Sequence, residues 1–217
     1  MTARTALCHM AVCADGNRRW ARRKGVSLDA GYSAAVHRIP GVIEVCRSRD
    51  IPYLSLQVFN HANWSRDESE VGAAMRAVVE LCGLLKPAVE EKELVVHWVG
   101  SRCRVPRDVR EALEPLDQAA GSGAPLTLSL YVDYDPVEHV ATAARHADAM
   151  AALEPSGVPP VDLFVRTARE FRTSGFDPLR LVDAELLFLD GGVPDFDRDA
   201  AHRAVDWYYS RNRTFGA

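Results

Sequence analysis

The sequence predicts an α/β fold: one domain with a central, mostly parallel sheet surrounded by helices. Three observations lead there. Short apolar runs alternate with longer amphipathic segments along the chain, and strand–helix alternation implies crossover connections and parallel pairing. Polar clusters follow several of the runs, as expected where ligands bind beyond the carboxyl ends of parallel strands. The 217 residues are 47 % hydrophobic, enough for one sizeable core.

The expected strands are Ala6–Ala14, Tyr53–Phe59, Leu94–Val99, Leu126–Tyr131, Leu163–Arg166 and a short Leu186–Phe188. The expected helices are Ser33–Arg49, Glu68–Glu91, Arg107–Ala119 and Pro136–Ala152. Val71, Met75, Val78, Val79, Cys82 and Leu85 recur at helical spacing and predict the second helix. Pro87 is expected to kink or end it. Gly121-Ser122-Gly123 and the stretch from Pro155 to Pro160 read as loops, too short for domain linkers.

A formal net charge of −4 argues against general nucleic-acid binding. The five cysteines are odd in number and contain no Cys-x-x-Cys pair, so reduced thiols are expected. No stretch reaches the roughly 18 apolar residues of a membrane span, and no targeting pattern opens the chain. A cytoplasmic location is expected.

The most telling segment is His9-Met10-Ala11-Val12-Cys13-Ala14-Asp15-Gly16-Asn17-Arg18-Arg19-Trp20. A carboxylate at a strand end, a glycine and a new helix start can hold a phosphate and its metal. Helix N-termini offer unpaired N–H groups, and one Asp can hold Mg²⁺ while phosphate oxygens fill other positions. A solvated first helical turn is the plainer reading of the basic run Arg18 to Lys24. A second cluster is Phe59-Asn60-His61-Ala62-Asn63-Trp64-Ser65-Arg66. Asn63 can donate and accept at a reacting centre, and Trp64 can wall an apolar substrate. In the third cluster, Arg166, Arg172 and Ser174 can clamp a diphosphate, because guanidinium groups match phosphate oxygens bidentately. Surface ion pairs are the plainer reading of these arginines.

Taken together these motifs resemble the cis-prenyltransferases, the undecaprenyl diphosphate synthase group. The resemblance runs from residues 9–17 through Asn63-Trp64 and Arg66, then Asp162 to Thr167, Arg172 and Ser174, Ala184-Glu185-Leu186 and Pro194-Asp195-Phe196-Asp197. It implies a parallel sheet ringed by helices, a hydrophobic cleft, a homodimer and Mg²⁺-dependent joining of prenyl diphosphates. By resemblance Asp15 holds Mg²⁺ on the allylic diphosphate, with Gly16, Asn17 and Arg19 around it and Arg18 and Arg66 nearby. Arg166, Arg172 and Ser174 then hold the second diphosphate.

The departures from this pattern leave the ionisation site largely intact and alter the acceptor site. Leu28 and Tyr32 stand where the family has Arg and His. The family's Phe-Ser-x-Glu-Asn-Trp is Phe59-Asn60-His61-Ala62-Asn63-Trp64, its Arg-Thr-Gly-Gly-Glu is Arg166-Thr167-Ala168-Arg169-Glu170, and its Asn-Tyr-Gly-Gly-Arg is Asp133-Tyr134-Asp135-Pro136-Val137. The acidic residue after Pro-Asp-Phe-Asp is Arg198. An intact ionisation site with an altered acceptor site is similar to the irregular branch, the lavandulyl and cyclolavandulyl diphosphate synthases, which join two dimethylallyl diphosphates head-to-middle. A regular short-chain synthase using isopentenyl diphosphate and an inactive partner subunit are the alternatives. Phe59, Trp64 and Trp20 are expected to face the allylic cation, or else to pack as core. His61 is expected to move a proton or simply to touch solvent or substrate. Met75, Val78, Val79, Cys82 and Leu85 are expected to close the pocket.

Two rival motifs are weaker. Asp133-x-Asp135-x-Val137 matches a dehalogenase-type phosphatase motif, but every lysine precedes it, and a helix start explains the pair. Asp195, Asp197 and Asp199 lack the glycine and terminal Glu of an EF-hand loop.

Overall fold

A computed structural model describes residues 6–118, 123–145 and 157–212. Its six strands are β1 (His9–Cys13), β2 (Tyr53–Asn60), β3 (Leu94–Val99), β4 (Leu126–Tyr134), β5 (Leu163–Arg166) and β6 (Glu185–Phe188). They form one sheet in the order β3-β4-β2-β1-β5-β6, and every neighbouring pair is parallel. The chain leaves β1 to build β2 on one side and later returns to lay β5 on the other. The carboxyl end of β1 is therefore the switch point at which α/β sheets open a crevice.

The helices are α1 (Asn17–Lys24), α2 (Leu28–Val36), α3 (Ile39–Ser48), α4 (Glu68–Glu90), α5 (Arg107–Gln118), α6 (Pro136–Ala143) and α7 (Arg198–Ser210). The expected helix Ser33–Arg49 is two helices. Pro40 in the first turn of α3 cannot supply the N–H that a continuous helix needs, so α2 ends at Val36 and a new helix starts at Ile39. Pro87 does not end α4, which runs on to Glu90. The carbonyl that Pro87 leaves without a partner belongs to Gly83, which is exposed and can meet water. The expected α6 boundary at Ala152, the end of α5 at Ala119, and parts of both expected loops lie outside the described residues.

The main core lies between one sheet face and α2, α3, α4, α5 and α7, with Val12, Leu56, Val78, Leu85, Leu113 and Val205 inside it. A smaller core on the other face holds Ala11, Tyr131, Phe164 and Phe176, with Cys13 at its edge. Strand side chains alternate between faces, so Val12 and Cys13 look in opposite directions. The five cysteines are free. Among the described residues no helix is long and apolar enough to cross a membrane.

His9 is fully buried at the start of β1. Its Nδ1 donates to the Pro159 carbonyl at 2.8 Å and its Nε2 accepts from Ser55 Oγ at 2.8 Å. Burial lowers its pKa to about 4 from 6.5, helped by Arg180 and opposed by Asp162. The unfolded chain then binds the extra proton between these values, so this stability is present above pH 6.5 and is lost as pH falls toward 4. We expect urea unfolding to show roughly 2 kcal/mol less stability at pH 5 than at pH 7.5, and a flatter profile in His9→Gln.

Candidate active site

Beyond the ends of β1, β2 and β5 lies a cavity of about 670 Å³. Its geometry begins with Gly16, which caps α1 at φ 94°. An added Cβ there would stand 2.7 Å from Ala168 Cβ and 2.8 Å from Gly192 Cα, so both conformation and space demand glycine. The first turn of α1 has no capping side chain and no acidic residue. Asn17, Arg18 and Arg19 line the cavity there, with backbone N–H groups suited to an anion. Asn17 Oδ1 is buried and has no partner among the described residues.

Asp15 sits at the cavity wall, its side chain one-third exposed. Its Oδ1 accepts from Gly16 N at 2.6 Å and its Oδ2 from Arg166 Nη2 at 3.0 Å. Arg166 ends β5 and is 2 % exposed. Its Nη1 also donates to Arg172 O and Ser174 Oγ, both at 2.7 Å. Thr167 Oγ1 accepts from Asp15 N at 3.0 Å and donates to Asp15 O at 2.8 Å, fastening the β1 and β5 ends together. The first and third sequence clusters thus meet.

The second cluster joins them through a 3₁₀ turn, His61–Ser65. Asn60 Oδ1 accepts from Ala62 N at 2.9 Å, and Asn63 Oδ1 accepts from Asn60 N at 3.0 Å. Asn60 Nδ2 reaches across to Ser174 O at 2.8 Å. This capping box brings Ala62 and Asn63 to the cavity with Phe59 and Arg66.

Three expected site residues do not line it. His61 projects the other way, to the Arg104 guanidinium and within 3.8 Å of Asp133 and Asp135. Trp64 stands behind Phe59, ring centroids 4.8 Å apart, because its Nε1 is drawn 2.7 Å to buried Asp133. Trp20 Nε1 donates to Asp195 at 2.8 Å, on the outer side of α1. Nor do Met75, Val78, Val79, Cys82 and Leu85 close the pocket. The main core takes this stripe, and α4 offers the cavity only Glu70 and Ala74.

Sequence reasoning missed Glu70, Gln57 and Tyr32 as cavity residues. Glu70 is 4 % exposed and binds Arg18 at 2.7 Å and Arg66 at 2.8 Å, with the Tyr32 hydroxyl at 3.5 Å. Its signal was the four-residue spacing from Arg66 in a first helical turn. Glu170 likewise holds Arg19 at 3.0 Å and Arg172 at 2.5 Å. Five arginines and three carboxylates line the cavity, a balance that attracts a multiply charged anion.

Asp15 is one carboxylate facing a cationic cavity. That donor set suits Mg²⁺, which commonly takes one or two carboxylates and completes its shell with substrate phosphates. Among the described residues, a group of three possible ligands gathers elsewhere, at His61, Asp135 and Glu138. There Asp135 caps α6 and Arg104 stands on His61, both of which disfavour a cation. The rival Asp133–Asp135 motif is accounted for by these same contacts. Asp195 and Asp197 are also engaged, by Trp20 and Arg23 and by the start of α7. Arg198 pairs with Glu44 at 3.1 Å, away from the cavity lining.

A family model described as putative undecaprenyl diphosphate synthase matches residues 13–216. The bifunctional protein CrtB/UppS of Streptomyces coelicolor is 33 % identical over 96 % of this chain, which spans 40 % of that protein's length. A ditrans,polycis-undecaprenyl-diphosphate synthase ((2E,6E)-farnesyl-diphosphate specific) of Francisella tularensis is 33 % identical over 97 % of this chain and 88 % of its own. The crystal structure of lavandulyl diphosphate synthase from Lavandula x intermedia with dimethylallyl diphosphate superposes with TM-score 0.86 at 23 % identity, covering 98 % and 99 % of the two chains. That likeness is one of fold.

Backbone strain marks the same site. Ala168, Arg169 and Ser174 have φ of 71°, 55° and 49°, and non-glycine residues there cost on the order of 1 kcal/mol or more each. Arg169 is exposed. We expect Arg169→Gly to raise the unfolding midpoint, by up to about 1 kcal/mol in urea. Gly16→Ala should cost at least about 3 kcal/mol in the same measurement and abolish turnover.

Proposed function

This chain belongs to the undecaprenyl diphosphate synthase family and is a prenyltransferase, and we propose that it joins two dimethylallyl diphosphates head-to-middle into a branched or cyclised ten-carbon diphosphate. The observation that carries this reading is the contrast between the cavity's two sides. The donor side keeps Asp15, Gly16, Asn17, Arg19, Asn63 and Arg66, all at the cavity, and changes there at Tyr32, where the family pattern has His. On the acceptor side Ala62 lines the cavity where the family pattern has Glu, and Arg198 is turned away to Glu44. Two acidic residues of the family pattern are thus missing, and by resemblance the one at position 198 helps place a metal on isopentenyl diphosphate. A short product also fits a cavity that meets α4 only at Glu70 and Ala74.

In this reading the donor diphosphate lies on the α1 N-terminus against Arg19, and the acceptor diphosphate on Arg166, Arg172 and Ser174. Asp15 would hold Mg²⁺, which supplies charge neutralisation to the leaving diphosphate. The arginines are already oriented by Glu70 and Glu170, so they stabilise developing charge without reorganising. Phe59 lines the cavity, where a ring beside the allylic cation is worth roughly 0.5–2 kcal/mol, while Trp64 backs it. Asn63 offers its Nδ2 donor, because its Oδ1 is taken. His61 has no proton role in this reading. The proposal includes a cytoplasmic homodimer; β6 is an edge strand with Leu186 41 % exposed.

The Francisella relative favours a second reading, regular elongation with isopentenyl diphosphate. Product analysis with Mg²⁺ separates the two. A branched or cyclic ten-carbon diphosphate from dimethylallyl diphosphate alone is expected. A linear product that requires isopentenyl diphosphate would overturn the head-to-middle reading, and silence under both conditions would favour an inactive partner subunit. Titration calorimetry should detect tight Mg²⁺ binding only when inorganic diphosphate is present, and Asp15→Ala should remove that dependence together with at least about 100-fold of turnover.

A further inference from the structure

The reading above gives the Gln57 amide no task, although it faces the cavity. Gln57 on β2, Cys13 on β1 and Arg166 on β5 are register partners, so they stand side by side across the sheet. All three line the cavity. At about 4.8 Å per strand, Gln57 lies roughly 10 Å from Arg166 along this row.

Cys13 Sγ is 3.0 Å from Gln57 Oε1. The thiol is the donor of this pair and the amide oxygen the acceptor. That leaves Nε2, which is buried and has no partner among the described residues, on a side chain only 4 % exposed. Reversing the amide would leave its oxygen in the same position. An unmet buried polar group costs about 1–3 kcal/mol, so the site is built for a polar occupant. A single water molecule at the cavity wall can supply that partner.

This placement matters for the chemistry of head-to-middle joining, on which the inference rests. When the acceptor's diphosphate lies on Arg166, Arg172 and Ser174, the row offers its five-carbon chain a path across Cys13 to Gln57. The middle carbon of the acceptor attacks the allylic cation, and positive charge then falls on the carbon that carries two methyl groups. One methyl must lose a proton there, remote from the acceptor's own diphosphate. Joining to isopentenyl diphosphate differs, because its proton leaves from the carbon beside the diphosphate-bearing one.

We infer that Gln57 is a positioning residue holding a water at the tail of the acceptor prenyl group, and that this water removes the methyl proton. The C–H electron pair becomes the new carbon–carbon double bond and quenches the cation. The proton passes through the water to the diphosphate released in the same turnover.

The test compares wild type with Gln57→Leu on dimethylallyl diphosphate and on its methyl-deuterated form, with Mg²⁺. The variant should lose about 10- to 100-fold in kcat, keep KM within a few-fold, and show a larger deuterium isotope effect on kcat. A loss of kcat without a change in the isotope effect, or no loss, would overturn the role of Gln57. Should Gln57→Leu not fold, the near-isosteric Gln57→Met carries the same comparison. A wild-type enzyme that makes only a linear product from isopentenyl diphosphate would overturn the head-to-middle reading, and this inference with it, before any variant is measured.

Discussion

The ion pair between Arg166 and Asp15 is the constraint on which the rest of this site depends. Arg166 is nearly inaccessible to solvent, and a buried guanidinium without partners costs several kcal/mol. Its partners are therefore obligatory: the Asp15 carboxylate from the turn after β1, the Arg172 carbonyl, and the Ser174 hydroxyl. Those three groups come from two loops, which the pair pulls to one point. The left-handed backbone at Ala168, Arg169 and Ser174 follows from the same demand, because the chain must double back after β5 to bring Arg172 and Ser174 to Arg166. Local strain is offset by the desolvated charge it satisfies.

From this pair the charge pattern spreads outward in order. Glu170 ties Arg19 to Arg172 over the cavity, and Glu70 ties Arg18 to Arg66 deeper in it. Each carboxylate restrains two flexible cations. The arginines are held at the wall before any anion arrives, and preorganised charge is what electrostatic catalysis requires. All three carboxylates of the cavity are paired with arginines, Asp15 included, so a metal on Asp15 would share that carboxylate with Arg166 and draw its further oxygens from phosphate.

Much of this was legible in the sequence, and the limits have physical causes. The six strands and the meeting of the three polar clusters followed from alternation and from the rule that parallel sheets bind at their carboxyl ends. Asp15, Asn17 and Ser174 were legible because each follows a strand in a segment too polar to be core, and Arg166 because it is a charge at the end of an apolar strand. The direction of His61 and Trp64 was not. In a 3₁₀ turn, which side chain faces inward is decided by the capping bonds of Asn60 and Asn63 together with the buried Asp133, which lies 69 residues from Trp64 in sequence. The stripe on α4 misled for a related reason: helical periodicity identifies a buried face but not whether a core or a cavity covers it. Gln57 and Tyr32 were missed because each sits inside a regular element whose pattern is otherwise that of packing.

Strand parity then settles what each substrate can meet. On β1, Val12 points into the main core with Leu56, while Cys13 points to the cavity with Gln57 and Arg166. A shift of one residue in the register would exchange these faces, burying Arg166 among helices and turning leucines to the diphosphate. The double hydrogen bond of Thr167 to Asp15 N and O prevents such a slip at the point where it would matter most. It fixes β5 against the end of β1 independently of the apolar pattern. The polar row Gln57–Cys13–Arg166 is thus a consequence of one hydroxyl's position as well as of sheet packing. This wall of the cavity inherits its chemistry from that row: a cation at one end, a thiol in the middle and an amide at the other.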